Sequence, residues 1–164
     1  MPGSAMSCVP QGTTEPPISA AELAGDLLAR GTEVRMRVTG SSMTPFIRSG
    51  DVVTLVPPPP EGVSLGDVVA CSPHPGRLVI HRVVAGTANA PWTQGDAVGV
   101  PDEPGALLGV VSRVERAGQV VRLGLGPGRR WLALAQRRGL LRPLRALAGA
   151  AARGLAAWRA GQSR

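Results

Sequence analysis

A chain of 164 residues with 43% hydrophobic side chains has material for one sizeable core with attachments, not for two full domains. All 18 basic residues are Arg, and the aromatic rings are limited to one Phe and three Trp; lysine-based catalysis is excluded and a ring-stacking surface for single-stranded nucleic acid is disfavoured. The net charge of +7 is uneven: 129–164 hold nine Arg and no acid, whereas 1–128 set the other nine Arg against all 11 acids, so the body is near neutral and the basicity belongs to the tail.

Residues 1–18 are small, polar and Pro-rich, and read as a flexible leader. They contain neither a basic n-region nor a long apolar run, so no secretory signal or transmembrane anchor is expected there. Ser19 followed three residues later by Glu22 has the pattern of a capping box, which predicts a short helix over 20–30 carrying Leu23, Leu27 and Leu28. From Glu33 the period becomes two, with Val34, Met36 and Val38 alternating with Arg35, Arg37 and Thr39 as in a half-buried strand. Short apolar runs follow at 52–56, 68–71, 78–84, 107–114 and 120–123, separated by Gly, Pro, Asp and Ser. These features predict a mainly β protein: a compact antiparallel domain over 19–126 with its core in 33–125, a short N-terminal helix and a basic helical tail over 127–164. The tail reads as two helical pieces broken near Pro143. In the second, Leu144, Leu147, Ala151, Leu155 and Trp158 share an arc of about 80° with Arg outside it, an amphipathic pattern.

Cys8 and Cys71 lack any C-x-x-C spacing and read as inert thiols, so neither a disulfide framework nor a metal site is expected, and no cofactor. The chemistry concentrates elsewhere. In GSSMTPFIRSGD a strand ends, Gly40 permits a sharp turn and two hydroxyls follow, making Ser41 or Ser42 a candidate nucleophile. A serine hydroxyl is nearly inert without an adjacent base, and with Lys absent only His74 and His81 can serve. His74 lies in the turn SPHPG and reads as a surface imidazole, whereas His81 lies inside the strand LVIHRVV. Downstream, QGDAVGVPDEP offers Asp96, Asp102 and Glu103. A carboxylate on the far nitrogen of His81 would fix its tautomer and stabilise the imidazolium, and a loop of this length can present either aspartate.

Five segments, GSSMTPFIRSGDVVTLV, GDVVAC, LVIHRVV, QGDAVGVPD and GVVSRV, occur in the order and approximate spacing of the type I signal peptidase superfamily, over roughly 34–114. Within it the chain resembles the endoplasmic-reticulum-like subtype, whose general base is the His of an HRV box rather than a Lys. The resemblance implies that Ser42 is the nucleophile, His81 the base, Asp102 the orienting acid and Asp96 a supporting aspartate. Gly40 stands where many members carry a serine that helps the oxyanion hole, so Ser41 or Thr39 is expected to supply that hydroxyl beside the Ser42 backbone N–H. Met43 is expected to line a pocket for a small residue such as Ala, and the substrate to lie extended along strand edges.

The expected function is that of a serine endopeptidase cleaving a leader or precursor peptide after a small residue. A catalytically silent peptide-binding module on the same fold is the alternative; a self-cleaving regulator is disfavoured because no helix-turn-helix fits before the first strand. The expected location is cytoplasmic, with the tail suited either to an anionic inner-membrane surface or to docking on the β body or a partner protein; specific nucleic-acid binding is not expected.

Overall fold

The computed structural model describes residues 18–122 and 124–138. Cys8, most of the leader, and the arc from Leu144 to Trp158 lie outside the described residues. Helix α1 (Ala20–Ala29) begins at Ser19, whose hydroxyl accepts from the Glu22 N–H at 3.2 Å while the Glu22 carboxylate accepts from the Ser19 N–H at 2.8 Å, so the capping box is complete. Seven strands follow: β1 (Val34–Arg37), β2 (Val52–Val56), β3 (Val68–Ser72), β4 (Val79–Gly86), β5 (Pro91–Gln94), β6 (Ala106–Arg116) and β7 (Gln119–Val120); α2 (Arg129–Arg137) lies beyond them. They form one antiparallel sheet in the order β1-β2-β6-β3-β4-β5, with β7 paired to β6.

The fold is mainly β, as expected, with two differences in detail. Strand β5 was not anticipated. The expected strand over 120–123 coincides with β7 only at Val120: Ala117 (φ 49°) and Gly118 (φ 79°) turn the chain back tightly after β6, the Val121 N–H still donates to the Val114 carbonyl at 2.8 Å, and residue 123 lies outside the described residues. Among the described residues no helix is long and apolar enough to cross a membrane.

Strand β6, with 11 residues, holds the sheet together by pairing β2 through Val110–Glu115 and β3 through Ala106–Val110. Alternation splits β3 between two apolar clusters: Val68 and Ala70 join Leu28, Met43, Ile47, Val53, Leu55, Val111 and Val114, whereas Val69 and Cys71 join Val63 and Val83. Both faces of β3 are therefore buried, which is why its sequence is a continuous apolar run. Helix α1 lies over β6 by inserting Leu28 at Gly109, where a Cβ would come within 2.9 Å of the leucine and 2.8 Å of the Val56 carbonyl.

Buried Asp51 fastens the loop after β1 to the sheet. Its carboxylate accepts both Nε and Nη2 of Arg116 at 2.9 Å and the Arg48 N–H at 2.8 Å. The Arg116 hydrogen bonds hold the Asp51 carboxyl below the usual carboxylate range, outweighing the opposing effect of burial. A lowered folded-state pKa contributes stability that is present above the ordinary value of about 3.9 and is lost as pH falls through the folded value. Urea unfolding against pH should therefore reveal a loss of stability below about pH 4. Asp51→Asn should remove about 1–3 kcal/mol at neutral pH and flatten that acid limb; an equally steep limb in the variant would contradict this role.

Candidate active site

The loop after β1 is shaped by its backbone. Gly40 has φ +93°, a conformation that residues bearing a Cβ rarely adopt, and the chain then coils, with Thr44 N–H donating to the Ser41 carbonyl and Phe46 and Ile47 N–H to the Met43 carbonyl. Met43 and Ile47 are anchored in the main core. Ser42 is thereby held half-buried between exposed Ser41 and buried Met43.

His81 reaches the same point from β4, where it pairs with Val69 of β3. Its Nε2 lies 2.9 Å from Ser42 Oγ and its Nδ1 lies 2.5 Å from Asp102 Oδ2. With a carboxylate on one side, Nδ1 carries the hydrogen and Nε2 is free to accept from the serine hydroxyl. Asp102 is itself positioned from β5: its N–H donates to the Thr93 carbonyl and its Oδ2 accepts the Thr93 hydroxyl, both at 2.8 Å.

Asp96 does not reach this relay. It makes a bidentate pair with Arg82, the next residue of β4 after His81, at 2.8 and 2.7 Å. Arg82 is fully buried, donates also to the carbonyls of Gly66 and Gly124 at 2.9 and 2.8 Å, and lies over the Phe46 ring. The pair holds the segment around Gly95, where the Ala97 N–H donates to the Ser42 carbonyl at 2.7 Å. Asp96 is therefore placed to position the chain beside Ser42, and of the two aspartates open to sequence reasoning Asp102 is the one hydrogen-bonded to the imidazole.

Gly95 packs tightly here: a Cβ would lie 2.7 Å from the Ser42 carbonyl oxygen and 3.0 Å from His81 Nε2. Relieving that overlap must move the Ser42 backbone or the imidazole, so Gly95→Ala should lower turnover by about 10–100-fold and lower the unfolding midpoint as well. Undiminished turnover would mean that the contact is not part of the site. Sequence reasoning missed Arg82, Thr93 and Gly95. The signal for Arg82 was present, since an arginine inside LVIHRVV must carry its partner into the interior with it.

A cleft of about 380 Å³ runs up to Ser42 and His81. One wall is 36–40, the end of β1 and the chain leading out of it, at a sheet edge that is unpaired among the described residues, and the other is 77–80, ahead of the stretch of β4 that pairs with β5. Its floor includes Met43 and Ile47. Gly40, Ser42 and Met43 border the cleft together with Thr39, whereas Ser41 is exposed outside it; of the two hydroxyls expected to assist the oxyanion hole, only that of Thr39 faces the cleft. No hydrogen bond within the described residues uses the Ser42 N–H, which leaves it free to donate to an incoming oxyanion. Cys71 is buried and plays no such part, its thiol pushed up to about 11 by burial and, secondarily, by the negative charge of Asp102. Among the described residues no cluster of side chains is arranged to hold a metal ion.

Comparison with protein-family models, with curated proteins and with solved structures finds no match to this chain.

Proposed function

We propose that this chain is a serine endopeptidase, similar in plan to the type I signal peptidase superfamily, that cleaves an extended peptide after a small residue. The observation that carries the reading is the unbroken hydrogen-bonded series Asp102, His81, Ser42 at the end of a cleft bordered by β1, a strand with one edge unpaired among the described residues. A peptide lying between 36–40 and 77–80 can add main-chain hydrogen bonds to that edge while alternate side chains enter the apolar floor.

Chemistry then follows from the order of the three groups. Ser42 Oγ attacks the scissile carbonyl carbon while His81 Nε2 takes the hydroxyl proton, and Asp102 stabilises the resulting imidazolium. The oxyanion is received by the Ser42 N–H, with Thr39 beside it; a well-placed donor of this kind contributes about 10²–10³ in rate. Collapse breaks the C–N bond as His81 returns the proton to the leaving amine, leaving an ester on Ser42. Water, deprotonated by His81, then releases the acid and restores the serine.

The test is incubation of the wild-type chain and Ser42→Ala with a library of extended peptides, with products read by mass spectrometry. Cleavage after small residues by the wild type alone is the expected result. Absence of cleavage with retained peptide binding would favour a silent peptide-binding module.

A further inference from the structure

The strand arginines of this sheet divide into two groups. Those away from the cleft are matched with carboxylates: Arg35 and Arg113 with Glu115, Arg82 with Asp96, and Arg116 with Asp51. Arg37, at the end of β1, lines the cleft and is exposed; its Nη1 donates to the Gly50 carbonyl at 2.8 Å, and among the described residues no carboxylate pairs with it. Arg77, two residues before β4 on the opposite wall, is also exposed and has no hydrogen-bond or ion-pair partner for its side chain among the described residues. Among the described residues the one carboxylate that lines the cleft, Asp102, is committed to His81 and Thr93. Glu103, its neighbour in sequence, lies 4.0 Å from His74 instead. The cleft thus has an arginine on each wall, and among the described residues no carboxylate that lines it is left to pair with them.

Resting on the peptidase reading above, we infer that the substrate carries an acidic side chain, Asp or Glu, three to five residues from the scissile bond, and that Arg37 and Arg77 select it. The spacing follows from chain geometry. Arg77 is four residues from His81 and Arg37 five from Ser42, separations that span no more than about 14 and 18 Å of chain, so an extended peptide with its carbonyl at Ser42 passes between the two arginines a few residues away. A guanidinium fork suits a carboxylate in particular, because its parallel N–H groups match the two oxygens.

The experiment measures kcat/KM for one cleaved peptide and for a set in which a single Asp replaces a neutral residue at each position on either side of the scissile bond. Wild type, Arg77→Glu and Arg37→Glu are compared at low and high salt. The expected result is an acceleration of about 5–10-fold by Asp at one position, shrinking as salt rises. In either variant the acidic-to-neutral ratio should fall to one or below. Because each ratio is taken within one protein, partial misfolding of a variant cancels. Equal cleavage of acidic and neutral peptides by the wild type would overturn the inference and leave the peptidase reading standing. A preference that persists unchanged in both variants would overturn the assignment to these arginines. Absence of any Ser42-dependent cleavage would overturn the inference together with the reading on which it rests.

Discussion

Ser42→Ala and His81→Ala are each expected to lower kcat/KM by about 10³-fold or more, and the double variant no further than the worse single one. The reason is geometric. Ser42 Oγ and His81 Nε2 share one hydrogen bond of 2.9 Å, so removing either partner removes the same event, transfer of the serine proton as the C–O bond forms. Asp102→Asn belongs to the same series. An amide at that place accepts from Nδ1 through its oxygen but cannot balance the charge of the imidazolium, and its nitrogen can hold the ring in the wrong tautomer, so a loss of about 10²–10⁴-fold is expected. Steady-state kinetics on one peptide would decide the matter: variants whose losses multiply would show that the three groups do not act as a unit.

The largest effect on stability is expected at Arg82. It is a full guanidinium with no exposure, and Asp96 beside it is 2% exposed; together they exchange two hydrogen bonds, with two more going to backbone carbonyls. Replacing Arg82 by Met keeps much of the volume but leaves the Asp96 carboxylate buried without its counter-charge, a change that destabilises by about 3–5 kcal/mol. Asp96→Asn should do less, because the amide oxygen still accepts from Arg82. The double variant Arg82→Met with Asp96→Leu should recover part of the loss, since no charge then remains inside. Urea unfolding gives the three values, and a single-variant loss below about 1 kcal/mol would mean that the pair is not holding the interior. The same substitutions should lower activity beyond their effect on the folded fraction, because Asp96 fixes the segment whose Ala97 N–H supports the Ser42 carbonyl.

Much of this arrangement was legible in the sequence because it is encoded locally. The box formed by Ser19 and Glu22 announces α1, and the alternation of Val34, Met36 and Val38 announces β1. The absence of lysine leaves a histidine as the available base, and only His81 sits in a strand near a hydroxyl-bearing turn. What stayed hidden depends on contacts between distant segments. Strand β5, P-W-T-Q, has neither an alternating nor a continuous apolar pattern; it opens on a proline, tolerated because β5 is the last strand of the path and needs partners on one side only. The choice between Asp96 and Asp102 turned on where the 95–101 excursion returns to β5, and that is fixed by Thr93 and Arg82, one pinning each aspartate. Nor does any pattern in the sequence set Arg37 and Arg77 on opposite walls of one cleft, where the fold brings the end of β1 and the chain before β4 together.

The central proposal is that Ser42 is a nucleophile activated by His81. Its most direct test is the reaction of the purified chain with the p-nitrophenyl ester of an N-acylated alanine, followed by acid quench and peptide mapping by mass spectrometry. The account predicts a burst of p-nitrophenol of about one equivalent per chain and an acyl group mapped to Ser42, with both lost in Ser42→Ala and strongly slowed in His81→Ala. Acylation spread over other residues, or a burst of equal size and rate in Ser42→Ala, would contradict it.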